Sequence, residues 1–503
     1  MKVYLIGAGP GDPGLLTLKG RDILGRADVV VYDYLANDAL LSYAREGAEL
    51  IYAGKKGGDH TLPQDVINAL IVARAREGKV VARLKGGDPY MFGRGGEEAE
   101  ELIEAGLDFE VVPGVTSGIA GPAYAGIPLT HRAYSSSVCF VTGHEDPAKP
   151  DTAHNWEALA KSAGTLVFYM GMKNLPDISR NLVNAGMPAG TPAALVRWGT
   201  TGRHRSMVST IGVLPEEAAR RGFSSPGLII VGEVVVLHDK LNWFERRPLS
   251  GKGIVVTRAR EQASDSAALL AEMGADVLQF PTIEIAPLTD YSGARAAVGG
   301  MSGYDLIIFT SVNGVRYFWE QLRSLGLDAR ALAGVTVAAI GPATAGGLSE
   351  RGIISDIVPK KYVAEDVARS ILDRYGQAIV GLRALLPRAR EARDVLPEIL
   401  AGAGAVVEVL PVYETRPSRQ GMDEVLTRLE AGEIHCVVFA SSSTVTNFLS
   451  CIPVELCRRH PQLKFACIGP ITAATLEKAG LRCHIQPAEY TIPALIRELA
   501  EKL

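Results

Sequence analysis

Short apolar runs alternate with helix-length amphipathic stretches along the whole chain. VYLIG, ADVVVYD, KVVARLKGGDP, SVCFVTG, TLVFYMG and LIIVGEVVVL recur through the first half. GIVVTR, YDLIIFTS, VTVAAIG, RALLPR, CVVFASS and KFACIG follow in the second. This rhythm predicts repeated β-α units, hence an α/β protein with largely parallel sheets. It breaks at Lys240 to Gly253, where a strand-like run gives way to charge and Pro-Gly punctuation before a new strand at Ile254. The cut leaves two pieces of nearly equal size.

The second piece repeats itself. Arg258-Ala-Arg-Glu261 returns 130 residues later as Arg388-Ala-Arg-Glu391. The same offset carries Gly274-Ala275 onto Gly404-Ala405, and Pro281, Glu284 and Pro287 onto Pro411, Glu414 and Pro417. Phe309-Thr-Ser311 maps on Phe439-Ala-Ser441. At an offset of 128, Ile340-Gly-Pro-Ala-Thr-Ala345 maps on Ile468-Gly-Pro-Ile-Thr-Ala473, and Tyr362 on Tyr490. Order and spacing preserved over such a length imply two similar α/β lobes, with a ligand between them.

Composition narrows the function classes. With 503 residues the chain needs three or four domains at about 150 residues each. A hydrophobic fraction of 47% excludes a disordered chain. The 52 basic against 56 acidic residues, net −4, argue against a nucleic-acid coat, and an anionic ligand would need a local basic patch. The longest apolar run, Gly227 to Leu237, carries Glu233 and is too short to span a membrane. The start, MKVYLIGAGPGD, runs straight into a strand and a glycine loop, so no signal peptide and no preceding domain are expected. Six cysteines without C-x-x-C spacing suit reduced thiols and a cytoplasmic location.

Gly7-Ala-Gly-Pro-Gly11-Asp12 follows a strand and precedes a helix, and Asp33 closes the second strand. That pattern suggests a dinucleotide loop with its ribose-binding acid. Two residues speak against it: Asp12 would set a carboxylate beside a pyrophosphate, and Pro10 removes an amide donor. A nucleotide-dependent oxidoreductase, fused to a two-lobed small-molecule-binding module, therefore stays open as the alternative.

The remaining motifs carry a resemblance. GAGPGDPGLLTLKG (7–20), VVYD (30–33), RLKGGDPYMFGRGGEE (83–98), VPGVTSGIAGPAYAGIPLTHR (112–132), FYMGM (168–172) and WGTTGRHR (198–205) together resemble uroporphyrinogen-III C-methyltransferases over residues 2–245. The resemblance implies a two-lobed tetrapyrrole methylase fold, S-adenosyl-L-methionine as methyl donor in the interlobe cleft, and a homodimer formed through this half. It places cofactor contacts at Pro10, Gly86, Gly87, Asp88, Met91, Thr116, Ser117, Met170 and Gly199. Asp33 matches the family's proton acceptor and Lys55 its proton donor. Glycines let backbone amides approach a ligand, and Asp88 can take a hydroxyl or ammonium group. For Thr116 and Ser117 the plain alternative is helix capping, and for Met170 core packing. The substrate is a macrocycle fringed with carboxylates, so Arg94, His131, Arg132 and the run Arg203-His-Arg205 are candidates to grip it.

Residues 254–503 resemble uroporphyrinogen-III synthases through VVTRAREQA (255–263), FTSVNGV (309–315), AIGPATA (339–345), LLPRAREARDVLPEIL (385–400), VYET (412–415), FASSSTV (439–445), CIGPITA (467–473) and TIPAL (491–495). That family implies a pair of similar α/β lobes joined by a two-stranded connection, here 281–287 with 411–417. The chain then crosses over, so that 254–280 packs alongside 418–503. The substrate is hydroxymethylbilane, closed with its last ring inverted, and no cofactor is implied for this half. Thr310, Ser311, Thr344, Ser441, Ser442 and Thr472 at predicted helix starts, with Arg258 and Arg388, are the expected carboxylate contacts. Tyr413 has Ile283 as its repeat counterpart, so it breaks the duplication, and it matches the family's tyrosine for hydroxyl departure; the plain alternative is a cross-strand aromatic pair. The expected organisation is 1–245 methyltransferase, 246–253 linker and 254–503 synthase. Together they would turn hydroxymethylbilane into uroporphyrinogen III and, by two methylations, precorrin-2, on the routes to sirohaem and cobalamin. The expected partners are small tetrapyrroles, with no nucleic acid, membrane or metal.

Overall fold

The computed structural model describes residues 2–54, 63–143, 154–257, 260–391 and 394–503, whose strands form four sheets flanked by helices. In the first sheet β1 (Lys2–Gly7), β2 (Val29–Tyr32), β3 (Glu49–Tyr52), β4 (Val81–Lys85) and β5 (Asp108–Val112) run parallel in the order β3-β2-β4-β1-β5. Helices cover both faces, so successive residues of one strand are buried on opposite sides. Val29 and Val31 pack with Ile67 and Ile71 on one face, Val30 with Ile23 and Leu40 on the other. Parallel strands put Ala8-Gly9, Asp33, Gly86 and Pro113-Gly114 at one common edge, where open α/β sheets bind ligands.

The second sheet contains β6 (Val138–Thr142), β7 (Thr165–Tyr169), β8 (Pro192–Arg197), β9 (Arg205–Thr210) and β10 (Gly227–Val231), ordered β6-β7-β10-β8-β9. Only β6 and β7 are parallel; the other pairings are antiparallel, so this one sheet departs from the largely parallel pattern of the chain. The run LIIVGEVVVL is likewise no single strand. It stops at Val231, turns at Gly232 (φ 144°), and continues as a 3-10 turn over Glu233–Leu237.

In the second half β11 (Gly253–Val256) and β12 (Asp276–Gln279) share a parallel sheet with β18 (Ile434–Phe439) and β19 (Lys464–Cys467), in the order β12-β11-β18-β19. The other lobe is built from β13 (Ile283–Ala286), β14 (Leu306–Phe309), β15 (Thr336–Ala339), β16 (Arg383–Ala389) and β17 (Val406–Pro417). The chain therefore does cross between lobes. β13 pairs antiparallel with the far end of β17, Ile283 against Pro417 and Ala286 against Glu414. Equivalent serines start equivalent helices: Ser311 Oγ accepts from Gly314 N (2.9 Å), and Ser441 forms a reciprocal capping box with Thr444.

The two halves are in contact. Gly202 lies so close to Ala275 and Asp276 that a Cβ would come within 2.3 Å of their backbone. Arg203 Nε donates to Asp276 Oδ2 (3.3 Å), a carboxylate that also takes Arg428. Leu249, in the segment between the halves, is buried in the core of the β11 sheet. Among the described residues no helix is long and apolar enough to cross a membrane, and no cluster of His, Cys, Asp or Glu could hold a metal ion.

Candidate functional site

The first glycine loop is filled by protein. Gly9 N donates to Gly87 O (3.2 Å) and Gly87 N to Gly9 O (2.7 Å), so the amides a pyrophosphate would need are already used. Asp12 N donates to Thr200 Oγ1 (3.1 Å), while its carboxylate accepts from Gly14 N (2.8 Å) and the Tyr124 hydroxyl (2.6 Å). The dinucleotide reading fails on these bonds: the loop is a brace to the helix Ser117–Tyr124 and to the segment 198–205.

The GGDP loop faces open space. Gly87 has φ +71°, and a Cβ there would meet nothing nearer than 3.8 Å, beside Ser117 N. Around it the backbone is crowded: a Cβ on Gly114 would lie 2.3 Å from Gly87 O. Asp88 explains the loop's shape, because its carboxylate accepts from Tyr90 N (2.8 Å), Met91 N (3.1 Å) and Gly114 N (2.9 Å). Those bonds fix Met91 and the loop against the Pro113-Gly114 turn, and they use three of the roughly four acceptor sites of the Asp88 carboxylate.

Thr116 does not cap its helix. Its Oγ1 pairs instead with the Tyr169 hydroxyl (2.8 Å), which also accepts from Gly118 N (2.8 Å). A Tyr from the second sheet thus supplies the cap of a helix that follows the first sheet. Burial raises the Tyr169 pKa, keeping it a neutral phenol. Met170 follows it at φ +54° with its side chain 53% exposed, a strained backbone that core packing does not account for. Met170 and Arg94 line one open cleft of about 330 Å³ with Tyr90, Phe92, Glu97 and Thr142. Arg94 also sits at positive φ (57°) and pairs with Glu97 (Nε–Oε1 3.0 Å), which raises its pKa. Gly199 has a packing reason, since a Cβ would sit 2.9 Å from Gly121 Cα. Pro10 is half-buried at the same edge.

Asp33, at the end of β2, is held by three amides: Leu35 N (3.1 Å), Ala36 N (3.2 Å) and Gly86 N (3.4 Å) all donate to Oδ1. Its Oδ2 lies 3.6 Å from the buried Arg83 guanidinium. Lys55, like Arg258, lies outside the described residues. His131 and Arg132 are exposed on a turn closed by His131 N to Ser135 O (2.9 Å). The run Arg203-His-Arg205 is a correction. Arg203 is paired with Asp276, His204 is buried with its pKa held down by that burial, and Arg205 lies over the Phe223 ring.

In the second half Tyr413 is buried on β17, stacked on Tyr317 at 5.5 Å, with its hydroxyl 3.1 Å from Ser311 Oγ. Burial raises its pKa and keeps the proton on the phenol. Tyr413, Thr310 and Ser311 share the C-terminal edge of one sheet. Ser442 Oγ donates to Ile471 O (3.3 Å), and Thr344 and Thr472 are buried in equivalent first turns. Arg388 is buried against the Asp394 carboxylate, so its charge is matched within the lobe.

Residues 2–215 match the tetrapyrrole (corrin/porphyrin) methylase family, and residues 264–497 match uroporphyrinogen-III synthase HemD. A porphyrin biosynthesis protein HemD of Ruminiclostridium josui is 38% identical over 502 residues, 99% of this chain and 97% of the relative. The chain belongs to this HemD family. It joins a tetrapyrrole methylase to a uroporphyrinogen-III synthase. A uroporphyrinogen-III C-methyltransferase of Bacillus subtilis (strain 168) is 52% identical over 244 residues, 48% of this chain and 95% of that one. A solved uroporphyrin-III C-methyltransferase from Thermus thermophilus, complexed with S-adenyl homocysteine, matches at 37% identity and a TM-score of 0.41, over 47% of this chain and 100% of that one.

Tyr169 is the residue of this chain that sequence reasoning passed over, although it stands inside the FYMGM motif. The signal was its place at the end of a strand, directly before a methionine assigned to the cofactor.

Proposed function

We propose that this chain carries out two consecutive steps of tetrapyrrole synthesis. Residues 254–503 cyclise hydroxymethylbilane to uroporphyrinogen III with inversion of the last ring. Residues 1–245 methylate that product twice to precorrin-2, and 246–253 join the two. What supports the methylase reading most is the single cleft that brings Arg94, a carboxylate-binding candidate, to the strained and exposed Met170. The open face of Gly87 beside Ser117 N fits a ligand held by backbone. Gly86, Gly87, Met91, Thr116, Ser117 and Met170 would hold S-adenosyl-L-methionine, with Pro10 and Gly199 shaping the loops behind them. When bound, that group supplies an electrophilic methyl.

The protein's own work is placement and one proton. Asp33, braced by three amides, takes the proton that the methylated ring sheds once its new C–C bond has formed, from the ring nitrogen or an adjoining methylene bridge, since the attacked carbon carries none. Lys55 is the proposed proton donor. Arg94, with His131 and Arg132, grips carboxylate arms of the macrocycle. In the synthase half the protonated Tyr413 phenol, oriented by Ser311, donates to the departing hydroxyl of the bilane. Serines and threonines at the helix starts, with Arg258, hold the folded chain, while Arg388 braces the lobe through Asp394, and this half needs no cofactor. The active form is a cytoplasmic homodimer through the N-terminal half.

Product analysis tests the whole. Hydroxymethylbilane alone should give the type III isomer, and adding S-adenosyl-L-methionine should give a dimethylated product. Only type I isomer would remove the synthase; type III that is never methylated would remove the methylase. Arg94→Ala should weaken tetrapyrrole binding about tenfold or more with little change in cofactor binding. Equal loss of both in a titration would count against that role.

A further inference from the structure

Two tyrosines that the mechanism leaves unused stand at equivalent points of the two synthase lobes. Tyr362 and Tyr490 are 60% and 59% exposed. Each follows a short extension that bridges the last strand of its sheet, Ile357 to Ala338 in one lobe and Ile485 to Ala466 in the other. Each tyrosine side chain packs close to a glycine. A Cβ on Gly341 would come 3.0 Å from Tyr362 Cδ1, and one on Gly469 3.3 Å from Tyr490 Cγ. Both glycines are extended (φ −173° and −167°), so the backbone could take any residue there. A side chain there would instead crowd the tyrosine, which would have to give by a few tenths of an ångström. Among the described residues neither phenol has a hydrogen-bond partner.

Where the lobes do different work the repeat has diverged, as at Tyr413 and Ile283. The two tyrosines and their glycines have not. A linear tetrapyrrole is itself a repeat, four electron-rich rings in a row, and a duplicated protein can meet it with duplicated contacts. Ring-on-ring contact suits such a ligand, because it holds a flexible chain without fixing one carboxylate pattern. We infer that Tyr362 and Tyr490 are a matched pair of aromatic platforms, one in each lobe, on which pyrrole rings of the linear substrate stack while the chain is folded for closure. This rests on the synthase reading and adds two substrate contacts to it.

Tyr362→Ala and Tyr490→Ala should each raise KM for hydroxymethylbilane about fivefold, and the double variant more than either. Type I product should appear as poorly held bilane closes unaided. Tyr→Phe variants keep the ring and should retain KM and isomer ratio. Gly341→Ala leaves Tyr362 in the chain but crowds it by a few tenths of an ångström, so it should raise KM less than Tyr362→Ala does. Methylation of supplied uroporphyrinogen III by the same preparations, with thermal melting, reports whether each variant folds. Wild-type KM and isomer ratio in both Ala variants would overturn the inference. So would Phe variants as impaired as Ala, since the hydroxyl and not the ring would then matter. If the parent chain itself yields no type III isomer, it is the underlying synthase reading that falls.

Discussion

Asp33→Asn is expected to slow methyl transfer about a hundredfold or more, with cofactor affinity within about twofold of the parent chain. The substitution is nearly isosteric. Asparagine keeps an oxygen that Leu35, Ala36 and Gly86 amides can use, so the turn after β2 and the GGDP loop should stay in place. Arg83 faces the altered group, but other bonds hold it, to Glu98 Oε1 (3.2 Å) and to the carbonyls of Val31 and Leu84. What is lost is a carboxylate able to take a proton. Rates would be followed as thioether release with uroporphyrinogen III saturating, and cofactor affinity by titration calorimetry with S-adenosylhomocysteine. A variant methylating at the parent rate would remove Asp33 from the chemistry. A variant that loses cofactor binding equally would show that its amide bonds, and not its charge, are what the site needs.

Much of this architecture is legible in residues 254–503 because the duplication is. Matching Pro281, Glu284 and Pro287 to Pro411, Glu414 and Pro417 marks two equivalent segments, and these become the paired β13 and β17. The second sheet was harder. AALVR and RSMVST flank WGTTGRHR, and a motif read for its chemistry hides the hairpin it closes. EVVVL looks like strand because a short apolar run has no period of its own; Gly232 at positive φ decides otherwise. In the site, residues that directly follow strands were readable, since a parallel sheet collects its strand ends at one edge. Asp33, Gly86 and Thr310 are of this kind. Pairs formed across lobes were not. Nothing near Thr116 announces that Tyr169, 53 residues on, will take its hydroxyl, or near Arg203 that Asp276 waits in the other half. Arg203 looked like a hand for a polycarboxylate because its own carboxylate is 73 residues away in sequence.

Tyr413→Phe is expected to cut the synthase rate about a hundredfold while KM for hydroxymethylbilane changes little. The ring would remain. Its stacking on Tyr317 at 5.5 Å and its place in the β16–β17 ladder depend on carbon and backbone, not on the hydroxyl. Only the bond to Ser311 Oγ (3.1 Å) is given up, and Ser311 keeps its cap to Gly314 N. The bilane must lose a hydroxyl that leaves poorly as hydroxide, so a donor at that oxygen acts on the barrier rather than on binding. Burial holds the phenol's proton in place, which makes it a donor and not a base across the neutral range. Slow turnover has a second consequence, because unaided closure competes and gives the uninverted ring. The variant should therefore release a rising share of type I isomer, read by chromatography of the oxidised porphyrins. Full rate with pure type III product would reduce Tyr413 to an aromatic brace between β17 and the helix Val312–Ser324. A rise in KM at unchanged kcat would make it a binding residue instead.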